Sequence, residues 1–233
     1  MSRAVHSLWI GKQLSPLEIA CYRSWAQQGY RHHLWVYDPP EGIPGSSRVC
    51  DASQILPAER IFRYRSHYGK GSVSGFSNFF RYKLLWEQGG IWADSDVYCL
   101  RPLPGSPYLL VREADQVASC LLRAPAGSEL MRACWHFCNH SDTASLRWAQ
   151  TGPQLLTRKI RHLKLQRYLY EESAFLPVLW TEVHKLMRTP ELDLQDCYTV
   201  HFWNQQLAEE GFDKEAHWPG STYQRLIGND EAH

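Results

Sequence analysis

Asp94 and Asp96 flank Ser95 directly after the apolar run Ile91-Trp92-Ala93, and a Gly89-Gly90 break precedes that run. In extended backbone, residues i and i+2 point to the same side, so the two carboxylates are expected to converge on one cation or one ligand. Carboxylates suit hard cations such as Mn²⁺ and Mg²⁺, and Mg²⁺ is commonly held by one or two carboxylates together with substrate phosphates. The residue types and their spacing therefore point to a metal and diphosphate site. Taken alone, the triplet equally fits a turn with solvated carboxylates.

The elements that must position this pair are legible around it. Phe76 to Gln88 reads as a buried helix, apolar over most of its surface and ended by Gly89. Ser77, Asn78 and Arg81 share one face of it through i, i+3 and i+4 spacing. Val97 to Leu100 is expected to extend the strand that carries Asp94. Near the N-terminus, Val5 to Ile10 predicts a strand, and Ser15-Pro16-Leu17-Glu18 predicts a helix start. Ser15 is the cap, Pro16 takes the first helical position and Glu18 closes a capping box. That helix runs to Gly29, and Leu34 to Tyr37 forms the next strand. A βαβ opening of this kind predicts a parallel sheet.

Beyond a Pro, Gly and Ser-rich loop over 39–47, further strands are expected at Leu109–Val111 and Val117–Leu122, and a helix at Glu129–Phe137. Thr151-Gly152-Pro153 starts another helix, with Leu155, Leu156, Ile160 and Leu163 on its apolar side. Arg158, Lys159, Arg161, Lys164 and Arg167 occupy its other sides. They read as a solvated face that can also meet an anionic lipid or acceptor.

The 233 residues fit one α/β domain or a small pair, and 44% hydrophobic residues are enough for a core. The 25 basic and 24 acidic residues leave a formal net charge of +1, which gives no electrostatic case for nucleic-acid binding. Seven cysteines without CxxC pairs speak against a disulfide framework or a zinc site and fit a reducing compartment. The N-terminus does not read as a signal peptide and no apolar run is long enough to span a membrane. The expected setting is a bacterial cytoplasm, with peripheral association at the inner membrane allowed.

In this order the blocks resemble the DXD sugar-binding region of glycosyltransferase family 32. Similar regions occur in capsular-polysaccharide, mannosyl and galactosyl transferases and, more distantly, in the large clostridial glucosylating toxins. The resemblance is carried by Leu8-Trp9-Ile10-Gly11, by the run from Phe76 to Leu85, by Gly89-Gly90-Ile91-Trp92-Ala93-Asp94-Ser95-Asp96, by Thr151-Gly152-Pro153 and by His201-Phe202-Trp203-Asn204. It implies a GT-A, Rossmann-like α/β fold with a mostly parallel central sheet flanked by helices. Residues 1–105 would be the nucleotide-sugar and metal half, and 106–233 the acceptor half with a C-terminal closing segment. It further implies a divalent cofactor, Mn²⁺ or Mg²⁺, and retention at the anomeric carbon. The donor would be a nucleotide-sugar, a UDP-hexose ahead of GDP-mannose, and the acceptor a glycan or lipid-linked saccharide.

The resemblance also implies roles. Asp96 binds the metal, Asn204 completes its shell, and His201 is a further candidate ligand. Asp94 holds the donor and reaches the metal through water. Leu8 and Trp9 line the nucleotide, with Trp9 stacked on the base, and Ser77, Asn78 and Arg81 contact the donor. Asp94, Asp96 and Arg81 are the expected catalytic set. Many relatives carry Asp at the position of Asn78, and many carry an aromatic shortly after the position of Asn204, where this chain has Gln205-Gln206-Leu207-Ala208. Two other readings remain. One is a haloacid-dehalogenase-type phosphatase with Asp94 as nucleophile, although its motif wants Thr or Val where Tyr98 stands. The other is a sugar-nucleotide-binding protein without turnover.

Overall fold

The computed structural model describes residues 3–65, 68–188 and 192–228. Strand β1 (Ala4–Trp9) leads into helix α1 (Pro16–Gln27) and strand β2 (Arg31–Val36), which pairs with β1 in parallel. Pro16 opens α1 and the Ser15 N–H donates to Glu18 Oε2 at 2.9 Å, so the helix starts where its capping residues predict. Strand β3 (Ser47–Asp51) adds to β2 in parallel. The 39–47 loop thus ends in an edge strand that composition did not announce. With Val49 45% exposed, this strand presents no apolar face to read.

Helix α2 spans Ser74–Gln88, beginning two residues before its expected start, and strand β4 (Gly90–Ala93) returns beside β1. Gly89 and Gly90 make this junction possible. Their φ angles are 66° and 102°, and a Cβ on Gly89 would lie 2.4 Å from the Ala126 nitrogen. The sheet continues through β7 (Gln116–Ala124), β6 (Leu109–Glu113) and β8 (Leu169–Tyr170), in the order β3-β2-β1-β4-β7-β6-β8. Its β3-β2-β1-β4 half is parallel, β7 runs antiparallel to β4, and helices flank it. Helices α2, α3 (Glu129–Asn139) and α4 (Pro153–His162) pack on one face around Phe76, Phe80, Leu84, Trp92, Leu130, Met131, Leu155 and Leu156. Arg158, Arg161, Lys164 and Arg167 lie on the outer side of this layer, as a solvated face should.

Strand β5 (Val97–Cys99) departs from expectation. It leaves the main sheet and pairs antiparallel with β9 (Thr199–His201) in a separate two-stranded sheet. Asp94-Ser95-Asp96 is therefore not extended strand. It is the turn between the two sheets, closed by Val97 N–H donating to the Asp94 carbonyl at 3.1 Å. The rest of the C-terminal third adds three short helices, α5 (His184–Arg188), α6 (Asn204–Glu209) and α7 (Thr222–Ile227), which pack around Phe202, Leu207 and Tyr223 against α1. Among the described residues, no helix is long and apolar enough to cross a membrane.

Candidate functional site

The turn brings its carboxylates together by folding back. Ligand atoms of Asp94, Asp96 and His201 all lie within 4.8 Å of one another. Each aspartate is held from a different side. Asp94 Oδ1 accepts from Arg81 Nη2 at 2.8 Å and from Trp92 Nε1 at 2.7 Å. Asp96 Oδ2 accepts from the Asn204 backbone N–H at 2.8 Å, and its Oδ1 lies 3.2 Å from His201 Nε2. Trp92 and Asp94 are i and i+2 at the end of β4, so they leave the strand on one side.

Charge in the cluster is unevenly distributed. Burial pushes the Asp94 carboxyl up, against the pull of Arg81, and the charge of Asp96 pushes the same way as burial. Burial also works against charge on Asp96, but His201 and the N–H donors around it hold its carboxyl below the usual range. On His201 burial opposes protonation, and the Cys120 sulfur and the Asp96 carboxylate outweigh it, leaving its pKa well above the ordinary value. Two buried polar atoms here have no hydrogen-bond partner, His201 Nδ1 and Asn204 Oδ1. A buried amide oxygen without a donor costs about 1–3 kcal/mol unless something else satisfies it.

Two carboxylates with an imidazole within 4.8 Å make an oxygen-rich ligand set of the kind a hard divalent cation prefers, and Asn204, whose backbone N–H touches Asp96, carries a further oxygen without a donor.

The expected donor-side residues are brought to the same end of the sheet. Arg81 is 2% exposed and uses four of its five N–H groups inside the protein. Beside Asp94 it donates from Nε to the Ser77 carbonyl at 3.3 Å, from Nη2 to Ser77 Oγ at 3.0 Å and from Nη1 to the Ser119 carbonyl. Its guanidinium also sits 5.0 Å from the Trp92 ring centroid. Arg81 therefore holds Asp94 in place and keeps one N–H for anything else. Ser77 does not cap α2, whose N-cap is Val73, but serves as an acceptor for Arg81.

Asn78 donates to Thr151 Oγ1 at 3.2 Å, and Tyr82 Oη donates to the Thr151 carbonyl at 2.9 Å. A Cβ on Gly152 would lie 3.3 Å from Asn78 Nδ2, so the start of α4 approaches α2 as closely as glycine allows. The Thr151-Gly152-Pro153 block is a helix start that docks on α2.

Leu8 packs against the main core. Trp9 is half-buried at the end of β1, its Nε1 without a partner, with the Lys214 ammonium 5.8 Å from its ring centroid.

Three contributors are hidden from local sequence. Glu18 does more than cap α1, because its Oε1 accepts from Asn204 Nδ2 at 2.8 Å and from Lys214 Nζ at 2.6 Å. Lys214 lies in a polar stretch with no local signal. Glu113, at the tip of the β6–β7 hairpin, is half-buried. Burial raises its carboxyl pKa against the pull of His201, with Glu172 and Asp94 adding to the rise. β7 explains how it gets there. Only residues 121–124 pair with β4, so the hairpin runs on past Asp94 as a wall. Trp92, by contrast, is findable, since period-two spacing puts it beside Asp94.

Residues 19–117 match a family model described as a glycosyltransferase sugar-binding region containing a DXD motif. The chain is 25% identical over 148 residues to human alpha-1,4-N-acetylglucosaminyltransferase, a match covering 56% of this chain and 42% of that protein. It is 29% identical over 145 residues to lactosylceramide 4-alpha-galactosyltransferase of Pongo pygmaeus, covering 54% of this chain and 65% of that protein. The human lactosylceramide 4-alpha-galactosyltransferase matches at the same identity, with 40% of its length covered. The chain thus spans less than two thirds of these curated relatives. They are primate proteins, which lends no support to the bacterial, cytoplasmic setting. Among solved structures, the PaToxG glycosyltransferase superposes with a TM-score of 0.53 at 12% identity, over 98% of this chain and 86% of that one, and the fold is of the GT-A type.

Proposed function

We propose, from a chain that carries the DXD-containing sugar-binding region of this glycosyltransferase family, that it transfers a hexose from a nucleotide-diphosphate sugar to a hydroxyl acceptor. The observation that carries the reading is the convergence of Asp94, Asp96 and His201 within 4.8 Å, beside an Asn204 Oδ1 that is buried without a partner. Asp96, Asn204 Oδ1 and Asp94 would hold Mn²⁺ or Mg²⁺. Bound there, the ion supplies Lewis-acid stabilisation of the leaving diphosphate.

The chain's own residues do the positioning. Arg81 and Trp92 fix one oxygen of Asp94 and leave the other for donor hydroxyls or a bound water. Trp9 offers a ring face for the base, and stacking of this kind contributes about 1–3 kcal/mol. Lys214 beside it adds positive charge near the nucleotide. Asn78 and Gly152 bound the sugar side. The β6–β7 hairpin, with Glu113, forms the acceptor side, where a glycan or lipid-linked saccharide would enter. Retention by a front-face route, in which the leaving phosphate helps to take the acceptor proton, asks for no protein nucleophile. The phosphatase reading is weaker, because Asp94 Oδ1 already accepts two hydrogen bonds and the family match covers the whole motif.

A thermal-shift panel of nucleotide-sugars with and without Mn²⁺ tests the proposal. A ligand at about 100 times its dissociation constant stabilises the fold by roughly 2.7 kcal/mol. One UDP- or GDP-sugar should give a Mn²⁺-dependent shift that Asp96→Ala removes. A variant responding like the unaltered chain would take Asp96 out of the site, and binding without transfer or hydrolysis would refute the enzyme.

A further inference from the structure

Glu18 lies 76 residues before Asp94 in sequence, yet it reaches the cluster through the closing segment. It is fully buried, at 0% exposure. Its Oε2 accepts from the Ser15 backbone N–H at 2.9 Å and from Ser15 Oγ at 2.5 Å. Its Oε1 accepts from Lys214 Nζ at 2.6 Å and from Asn204 Nδ2 at 2.8 Å. All four partners donate, as an ionised carboxylate requires. An amide facing such a group can present only its nitrogen. The Asn204 oxygen is therefore forced to the other side, where it is buried and unpartnered in a residue whose backbone N–H touches Asp96.

We propose that Glu18 is a positioning residue for the cation site: it fixes the Asn204 amide with Oδ1 free to serve as a ligand. The proposal rests on the reading that the Asp94–Asp96 turn takes a divalent cation. Lys214 supports it independently. It bonds the same carboxylate oxygen, so an ammonium balances the charge of Glu18 and the uncharged Asn204 amide is left to hydrogen bonding alone. Outer partners of this kind commonly set ligand orientation and metal affinity.

Glu18→Gln separates the capping role from the positioning role. The glutamine amide oxygen can still accept from Ser15, but its nitrogen presents an N–H to position 204, and the Asn204 amide answers by turning its oxygen inward. Mn²⁺ alone is the probe, with free ion read by electron paramagnetic resonance on the full chain. Affinity should fall by about 10–100-fold in Glu18→Gln. The double variant Glu18→Gln/Asn204→Asp should recover it, because a carboxylate at position 204 accepts from the new amide with one oxygen and keeps the other for the ion. Unchanged affinity in a folded Glu18→Gln variant, or a double variant no better than the single one, overturns the proposal. Asp96→Ala is the control: if it binds Mn²⁺ like the unaltered chain, the cation reading itself fails.

Should Glu18→Gln not fold, the unaltered chain still decides. The Asn204 side-chain N–H₂ should be protected from exchange in nuclear magnetic resonance both before and after Mg²⁺ addition, with its carbonyl carbon shifting on addition. A freely exchanging N–H₂ overturns the proposal.

Discussion

The backbone N–H of Asn204 lies 2.8 Å from Oδ2 of Asp96, across 108 residues of sequence. Asp96 is thus gripped from the small sheet and the closing segment, whereas Asp94 is gripped from α2 and β4 through Arg81 and Trp92. The two aspartates are unequal for a structural reason, and each grip can be broken separately.

Arg81→Met should leave Asp94 buried against Trp92 without its cation. Removing one partner of a buried ion pair costs about 3–5 kcal/mol, and the lower end applies because Asp94 is partly exposed. Urea denaturation should show a loss of roughly 3 kcal/mol. A loss below about 1 kcal/mol would mean that the pair is no more than a surface contact.

Glu113→Gln keeps shape and burial but removes a carboxylate from the hairpin wall. Affinity for the nucleotide-sugar should stay unchanged, and transfer at low acceptor concentration should drop by roughly 10-fold, the size of one lost charge-assisted hydrogen bond to the acceptor. Steady-state kinetics with varied acceptor checks this. Unaltered transfer would reduce Glu113 to the end of a strand.

His201 would give divalent-cation binding at this cluster a pH dependence. Its pKa in the folded chain is raised, with Cys120 and Asp96 overcoming burial, so the protonated ring pairs with Asp96. An ion entering the cluster must compete with that proton, and affinity should rise with pH until the raised pKa is passed. In His201→Gln the slope should flatten. Calorimetric titrations at several pH values measure both, and equal slopes would remove His201 from the site.

Two buried histidines of β1 and β2 set the acid limit of stability. His6 and His32 are 2% and 1% exposed, and burial, reinforced by the charge of neighbouring histidines, lowers each pKa to about 3. His6 accepts from Trp35 Nε1 at 3.1 Å, so its neutral ring is built into β1 and β2. The unfolded chain takes up these protons near pH 6.5 and the folded chain does not. Stability should therefore fall as pH drops below about 6.5, by up to about 1.4 kcal/mol per pH unit for each ring, until pH 3 is approached. Urea midpoints between pH 7 and pH 4 test this, and a flat profile would contradict it.

Much of this arrangement can be read from local chemistry. The Gly89-Gly90 stop, the cap at Ser15, the helical face shared by Ser77, Asn78 and Arg81, and the convergence of Asp94 and Asp96 all follow from neighbours in sequence. Other features depend on contacts that no local pattern encodes. The break between β4 and β5 is made of Asp94, Ser95 and Asp96, types that favour turns, but without glycine or proline they do not by themselves separate a turn from a strand that continues into Val97. β3 is placed by its pairing with β2 and by Cys50 against the core, neither of which a local apolar pattern encodes. Arg81 has the look of a ligand-binding arginine, but four of its five N–H groups go to Ser77, Ser119 and Asp94, and the Ser119 carbonyl comes from a distant strand. Glu18 is legible as a cap because Ser15 is three residues away, whereas its other oxygen answers to residues 186 and 196 positions later.

The Asp94-Ser95-Asp96 turn is also the seam between two separately hydrogen-bonded sheets. A ligand bridging these aspartates would fasten the body that carries α2 to the body that carries β9 and α6. Catalytic occupancy and cohesion of the C-terminal third then become one equilibrium. Loosening that third anywhere, even at Phe202 or Tyr223 in its interior, would weaken donor binding, and a tightly held donor would in turn protect those remote positions from opening.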